Sequence, residues 1–539
     1  MDAQITTPEE SPHWNLVFNP LEITLDVLNY NYRGTGLGTD PYIVEFIPGD
    51  WRNPVSFALW KKWLITITLA FGTLAVTFTS SSYSGGIVEI LTEFDINAEL
   101  STAGISLFVL GFAVGPLFWA PLSELYGRQI VFFCTFAALT FFNAGAAASQ
   151  NIYTLLILRF FAGSFGSSVL TNAGGVIADM FPASERGLAT SVFAAAPFLG
   201  PSIGPLVGGF VAQSVGWRWV EGVSAIFTGV LWIVGAITIP ETYSPVILQR
   251  RAQKLSRMTG KTYKSAIEIE QGTKTTSQAF RTALVRPWVL LCTEPIVLLL
   301  SIYVAIIYGT LYMMFGAFPI VYQRVRGWSE GLGGLSFLGV AVGIIIAVIL
   351  TIPDNNRYNR AASRCNGSAP PEARLPPAIL GSIFIPVGLF WFAWTNGPDV
   401  HWSVAIIGTA FFGFGMVLVF LSTINYLVDA YVIYAASVLA ANSVLRSLFG
   451  AIFPLFTTYM YNGLGIHWAS SIPAFLALSC VPFPFLFYRY GAYIRSRCKF
   501  ATHAAKILEE IRAANFSSDR DAISPTRIRD GSLEAQDEK

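Results

Sequence analysis

The chain has 539 residues, of which 53% are hydrophobic and only 12% charged, about half the charged share of a soluble globular protein. That balance excludes an ordinary multi-domain soluble enzyme, and the near-cancellation of 34 basic by 33 acidic residues excludes a polyanion such as nucleic acid as the main partner. The four histidines and five cysteines show no metal-ligand spacing, so neither a metal nor another cofactor is expected.

In chain order, residues 1–56 are polar, hold no short apolar run before a cleavage site, and read as a disordered cytosolic tail. Apolar runs long enough to cross about 30 Å of hydrocarbon follow in two blocks. The first block comprises Trp63–Gly85, Thr102–Leu122, Ile130–Ala148, Tyr153–Ala178, Leu188–Val215 and Val220–Ile239. The second comprises Leu290–Val321, Gly331–Ile352, Ala378–Thr395, Trp402–Val428, Ala435–Tyr461 and Ile472–Tyr488. The expected fold is therefore all-α and membrane-embedded: twelve transmembrane helices in two pseudo-symmetric six-helix bundles, the arrangement of a duplicated transporter. The bundles are assigned to residues 57–240 and 288–489, with a cytosolic linker at 241–287 and a cytosolic tail at 490–539.

Lysine and arginine orient the chain. With the amino terminus inside, 29 of the 34 fall on the cytosolic side. Three (Arg218, Arg324 and Arg326) fall outside, and two (Arg159 and Arg446) lie within spans. Both termini are expected in the cytosol.

Five groups of residues stand out as functional candidates. Glu124 and Arg128 surround Gly127 in the turn after the second span, where a carboxylate and an arginine can cap a neighbouring helix and latch it. Arg159 lies about eight residues, roughly 12 Å, into the fourth span. A charge at that depth needs a cavity or a partner, and it can tune a nearby acid or hold a substrate anion. The stretch Ala194–Phe210 places Gly200, Gly204 and Gly208 on one helix face, beside Pro201, Pro205 and Gly209. Such a stripe reads as a closely packed pivot between two moving bundles. A polar-aromatic surface for substrate is expected from Tyr303, Tyr308 and Tyr312 in the seventh span, Asn425 and Tyr426 in the tenth, and Asn442 and Arg446 in the eleventh. Tyr83 and Asn172 are expected to face it from the other half. Glu294, Asp179 and Asp429, at inner helix ends, are candidates to carry a proton, because no carboxylate reads as lying deep in a span.

The order G-x-x-x-G-P-x-x-G-G at Gly200–Gly209, the context L-L-I-L-R-F-F-A-G-S-F-G at Leu155–Gly166 and the loop W-A-P-L-S-E-L-Y-G-R at Trp119–Arg128 resemble motifs of the major facilitator superfamily. The loop departs from the superfamily's G-x-L-a-D-R-x-G-R-K at Ala120, Glu124, Leu125 and Gln129. With G-W-R-W-V-E (Gly216–Glu221), P-E-T-Y-S-P-V-I-L (Pro240–Leu248) and A-F-P-I-V-Y (Ala317–Tyr322), the chain is similar to the fungal twelve-helix drug:proton antiporters, relatives of multidrug, polyamine and secondary-metabolite exporters. The resemblance implies a proton-coupled transporter that exports a drug, toxin or secondary metabolite from the plasma membrane as a monomer. It also implies roles in proton coupling and switching for Arg159, Glu124, Arg128 and the Gly200–Gly209 stretch. Gly316 stands where polyamine-type relatives often carry a glutamate, which argues against a polycation as the main substrate. The alternative is a facilitator or importer of a small organic solute such as a polyamine or organic acid. A membrane-embedded enzyme would need a nucleophile, base or metal cluster, and an ATP-driven pump a G-x-x-x-x-G-K-[ST] loop; the sequence holds neither.

Overall fold

In lipid a backbone can satisfy its own hydrogen bonds only as a helix or a closed barrel, and the apolar runs are helical throughout. A computed structural model describes residues 13–19, 22–182, 185–271, 276–364 and 369–507. The rest of the expected tails, residues 1–12 and 508–539, and Cys365 lie outside the described residues.

The helices of the first half are α1 (Leu59–Ser82), α2 (Ala98–Tyr126), α3 (Arg128–Ala147), α4 (Ile152–Met180), α5 (Arg186–Val215) and α6 (Trp217–Thr238). In the second half they are α7 (Pro295–Phe318), α8 (Leu338–Arg364), α9 (Pro376–Thr395), α10 (Trp402–Ala430), α11 (Ala435–Cys480) and α12 (Pro482–Arg497). The expected eighth span is divided: a short helix, Glu330–Leu335, precedes α8. Among the described residues eleven helical runs are long and apolar enough to cross a membrane. The last, Val432–Arg497, has 66 residues, far more than one crossing needs. It doubles back at Gly465, whose φ of 75° breaks the helix. Tyr434 Oη, just before α11, accordingly lies 2.9 Å from His503 Nδ1, just past α12. Eleven runs thus make twelve crossings.

The start of the chain departs from the expected disordered tail. Tyr42–Val44 (β1) pairs in parallel with Tyr263–Ser265 (β2) of the linker, Ile43 opposite Lys264. Beneath this two-stranded sheet the linker helix Ser244–Thr259 buries Val246, Ile247, Ala252 and Leu255 on one face. Val27, Tyr32 and Val44 from the amino-terminal segment close that small core. Asp50 and Arg251, both almost fully buried, pair at 2.5 Å across it. Periodicity could not reveal this order, because the amino-terminal segment gains its structure from a partner some two hundred residues away.

α5 has two working faces. The stripe of Gly200, Gly204 and Gly208, expected to pack across the pseudo-axis, packs instead on α1 of the same half. A Cβ at Gly200 would lie 2.8 Å from Leu74 O, and one at Gly204 would lie 2.8 Å from Phe78 O. The contact between halves belongs to the neighbouring face. A Cβ at Gly209 would lie 2.5 Å from Glu330 O, one at Gly334 2.9 Å from Leu206 Cα, and the Gly331 amide donates to Gln213 at 3.1 Å. These contacts seal the halves on the face opposite the termini. On the terminal face a cavity of about 800 Å³ lies among the start of α5 and the ends of α8 and α10, with α5 and α8 in contact at its edge, where a Cβ at Gly187 would lie 2.9 Å from Asn355 Cγ.

Candidate functional site

Arg159 is the largest fully buried side chain among the described residues. α1 ends at Ser82 in a tight turn, Tyr83–Gly86, and the last turn of a helix leaves carbonyls without intrahelical donors. Arg159 fills them: Nη1 donates to Thr79 O at 2.9 Å and Nη2 to Ser80 O at 3.2 Å, while Nε reaches Gly104 O at 3.3 Å. Its guanidinium lies 4.7 Å from the Tyr83 ring and 4.5 Å from the Phe108 ring. Nη1 also pairs with Glu221 at 3.1 Å, with both side chains inaccessible to solvent. The second carboxylate oxygen of Glu221 has no hydrogen-bond partner among the described residues.

Glu221 is not among the expected candidates, but it is a fully buried acid near the start of its span. It is the fifth residue of α6 and reads as a helix-end acid, yet it turns inward to the arginine. The signal was present in G-W-R-W-V-E, since a buried arginine demands an acid from some neighbouring helix. Tyr83 donates to Ser101 O at 3.0 Å and packs under Arg159. Its contacts place it in the Arg159 cluster.

A chain of contacts leads from Arg159 to the interface between halves. Ser80, whose carbonyl Arg159 holds, has its hydroxyl 2.8 Å from Tyr312 Oη on α7, and Tyr308 donates to Tyr312 at 3.4 Å. Arg446 of α11 lies over the Tyr308 ring at 4.8 Å and over Phe420 at 5.1 Å. Phe420 in turn meets Phe198 of α5 edge-on at 4.7 Å. Tyr308, Tyr312 and Arg446 therefore come together as expected.

The other expected binding residues do not join them. Tyr303 faces Phe483, its hydroxyl without a partner. Asn442 donates to Ser301 at 3.3 Å between α7 and α11. Tyr426 is buried on the terminal side against Gly491. Asn425 alone of these lines the large cavity, with Ser422, Tyr358 and Asp429. There Asp429 accepts from Arg374 at 3.0 Å and Tyr358 at 2.9 Å.

The turn after α2 is a latch built differently from the expected one. Glu124 is exposed. Arg128 instead pairs with Asp179 of α4 at 3.5 Å and donates to Ser123 at 2.6 Å and Asn172 at 3.4 Å. Asn172, expected to face substrate, is thus part of the latch. The capping carboxylate is Glu241 of the P-E-T-Y stretch. It accepts from the amide of Arg128 at 2.9 Å and from its own neighbours Thr242 and Tyr243. An acid at the amino end of α3 is favoured by the helix dipole. Gly127 makes room for it at φ 96°, where a Cβ would stand 2.6 Å from the Glu241 carboxyl carbon. Glu294 is fully buried on the terminal side, accepting from Tyr431 at 2.8 Å and the Phe500 amide at 3.0 Å.

The profile of the Major Facilitator Superfamily matches residues 69–454. The chain belongs to the Major Facilitator Superfamily. Among its relatives is the MFS-type efflux pump MFS2 of Trichophyton rubrum, 62% identical over 541 aligned residues, covering all of this chain and 91% of the relative. The major facilitator superfamily multidrug transporter mdrA of Aspergillus fumigatus is 60% identical over 511 residues, covering 94% of this chain and 84% of that one. A solved structure of the xylose transporter XylE from E. coli, in a partially occluded inward open conformation, superposes with a TM-score of 0.57. It shares 16% identity over 80% of this chain and 99% of its own, a likeness that concerns the fold alone. The chain is thus a multi-pass membrane protein of a transporter superfamily, and its two halves pack around the Arg159–Tyr312–Arg446 line.

Proposed function

We propose that this protein is a monomeric secondary transporter of the plasma membrane that expels a small organic molecule in exchange for protons by alternating access. Residues 57–240 and 288–489 act as the two moving bundles, and the terminal face is cytosolic. The 29-to-3 division of lysine and arginine supports that orientation, and relatives named efflux pump and multidrug transporter support the direction. The observation that carries the reading is the buried Arg159–Glu221 pair, joined through Ser80 and two tyrosines to the interface between halves.

A proton arriving on Glu221 removes the acid that neutralises Arg159. An uncompensated buried cation costs several kcal/mol, so the balance shifts toward whichever arrangement gives the guanidinium other acceptors or water. Because Thr79 and Ser80 carry two of its present acceptors, the shift acts on the end of α1, and through Ser80 on Tyr312 of the second half. Coupling of this kind is reciprocal, so substrate at the interface shifts proton affinity by the same factor. The seal at Gly209 and Glu330 and the cavity on the terminal face support a reading of this arrangement as one accessible from the terminal side.

The test is efflux from energised cells, normalised to surface protein. Arg159→Ala abolishes it, and Arg159→Lys restores it in part, because a point charge replaces a planar fork. Glu221→Gln uncouples it from the proton gradient. Efflux that continues at full rate after a protonophore collapses the gradient would make the protein a facilitator of the same solutes.

A further inference from the structure

The two arginines within spans share aromatic surroundings but differ in their acceptors, and Arg159 is fully buried whereas Arg446 is only partly buried. Arg159 lies between Tyr83 and Phe108, and Arg446 between Tyr308 and Phe420. Arg159 has Glu221 and three backbone carbonyls. Arg446 takes part in none of the ion pairs or hydrogen bonds found among the described residues, and its Nε is buried without a partner. A guanidinium offers five donors in a planar fork that matches a carboxylate, and aromatic faces lower the cost of its charge without supplying an acceptor. It stands at the interface between halves. Phe198, Ile307, Met416 and Phe420 pack closely beside it and leave no room even for a water molecule, whereas Leu418 and Leu421, flanking Phe420 on α10, line the large cavity.

We propose that Arg446 is the substrate's anchor, and that the exported molecule is an organic acid whose carboxylate completes the missing ion pair while its apolar body lies in the large cavity beside Leu418 and Leu421. This inference rests on the export reading above. The carboxylate supplies to Arg446 what Glu221 supplies to Arg159, and the Tyr308–Tyr312–Ser80 contacts then join substrate and proton sites in one line. A second-half arginine with an internal acid would have no need of the ligand; this one does.

The experiment compares matched probes in cells expressing the full chain at equal surface level: 1-naphthoate against 1-naphthamide, cinnamate against cinnamamide, and the neutral dye Nile red. Each efflux rate is taken above that of empty-vector cells. The wild type expels the acids at least tenfold faster than the amides. Arg446→Gln loses at least tenfold on the acids and nothing on the dye, and Arg446→Lys recovers part of the acid rate. Equal export of acids and amides, export of the dye alone, or an acid preference that survives in Arg446→Gln overturns the assignment and leaves proton-driven export standing. Loss of the dye together with the acids in Arg446→Gln makes the residue structural and overturns it as well. A wild type that expels none of the probes sinks both readings.

Discussion

A single methyl group distinguishes the two faces of α5. At Gly209 an added Cβ would stand 2.5 Å from Glu330 O, a contact between halves that exists only while the outer seal is closed. At Gly204 the Cβ would stand 2.8 Å from Phe78 O and from Ser82 N, both within the first half and therefore present in every state. Overpacking of either site costs about 1–3 kcal/mol. For Gly209→Ala the penalty falls on one end state, and at about 1.4 kcal/mol per factor of ten it shifts the population roughly fivefold to a hundredfold away from the arrangement open to the terminal face. For Gly204→Ala it falls on the fold, lowering stability without biasing the equilibrium. The assay is the thiol labelling rate of Thr190→Cys, a cavity-lining position, in inside-out vesicles from a background without native cysteines. Gly209→Ala should slow labelling by the population factor, whereas Gly204→Ala should leave the rate unchanged and lower the melting temperature. Unchanged labelling in Gly209→Ala, or a shift caused by Gly204→Ala, would refute the division of α5 into a static and a moving face.

Three further outcomes are expected. Gly127→Ala combines a left-handed φ with a Cβ inside contact distance of Glu241, so it should destabilise the latch by at least about 1 kcal/mol, read as a lowered Tm, with Glu241→Gln milder because one amide acceptor survives. Asp50→Ala leaves Arg251 buried and unpaired, a loss of about 3–5 kcal/mol, and should open the amino-terminal segment to limited proteolysis while the helical bundles resist. Cys498 is buried, and that burial, with the charge of Glu294 beside it, pushes its thiol up to about 12. The fraction of thiolate at pH 8 is then only about 10⁻⁴, so maleimide should label it some three orders of magnitude more slowly than an exposed cysteine.

The helices were legible because lipid leaves a chain so few choices: runs of apolar residues and their number give the twelve crossings. Arg159, Tyr308, Tyr312 and Arg446 were also legible, since a cation or hydroxyl in such a run must have a reason. What the sequence could not convey was direction around each helix. Gly200, Gly204 and Gly208 mark a smooth face without naming the partner, and the partner is α1. Asn172 and Glu124 were chosen by residue type, and it is the packing of other elements that brings Asp179 of α4 and Glu241 after α6 to Arg128 and its amide. Glu221 was misjudged because distance along a helix stood in for distance into the protein. The order in residues 22–57 was hidden for another reason: its partner lies in the linker, and no local pattern reports a pairing at that separation.

The pairing of β1 with β2 changes what joins the two halves. By composition the connection is one long polar string from residue 241 to 287. In the folded chain everything up to Ser265 is held to the first half, by Glu241 on α3, by Arg250 on Tyr126 O and by Asp50 on Arg251. Only residues 266–294 remain between that anchor and α7, and Ala266–Gln271 and Thr276–Thr293 within them are helical. A helix advances 1.5 Å per residue where an extended chain covers about 3.3–3.6 Å, so the tether reaches much less far than its length suggests. A short leash of this kind permits one half to rock on the other but limits how far they can part, and detaching the amino-terminal strand would return the lost slack to the joint.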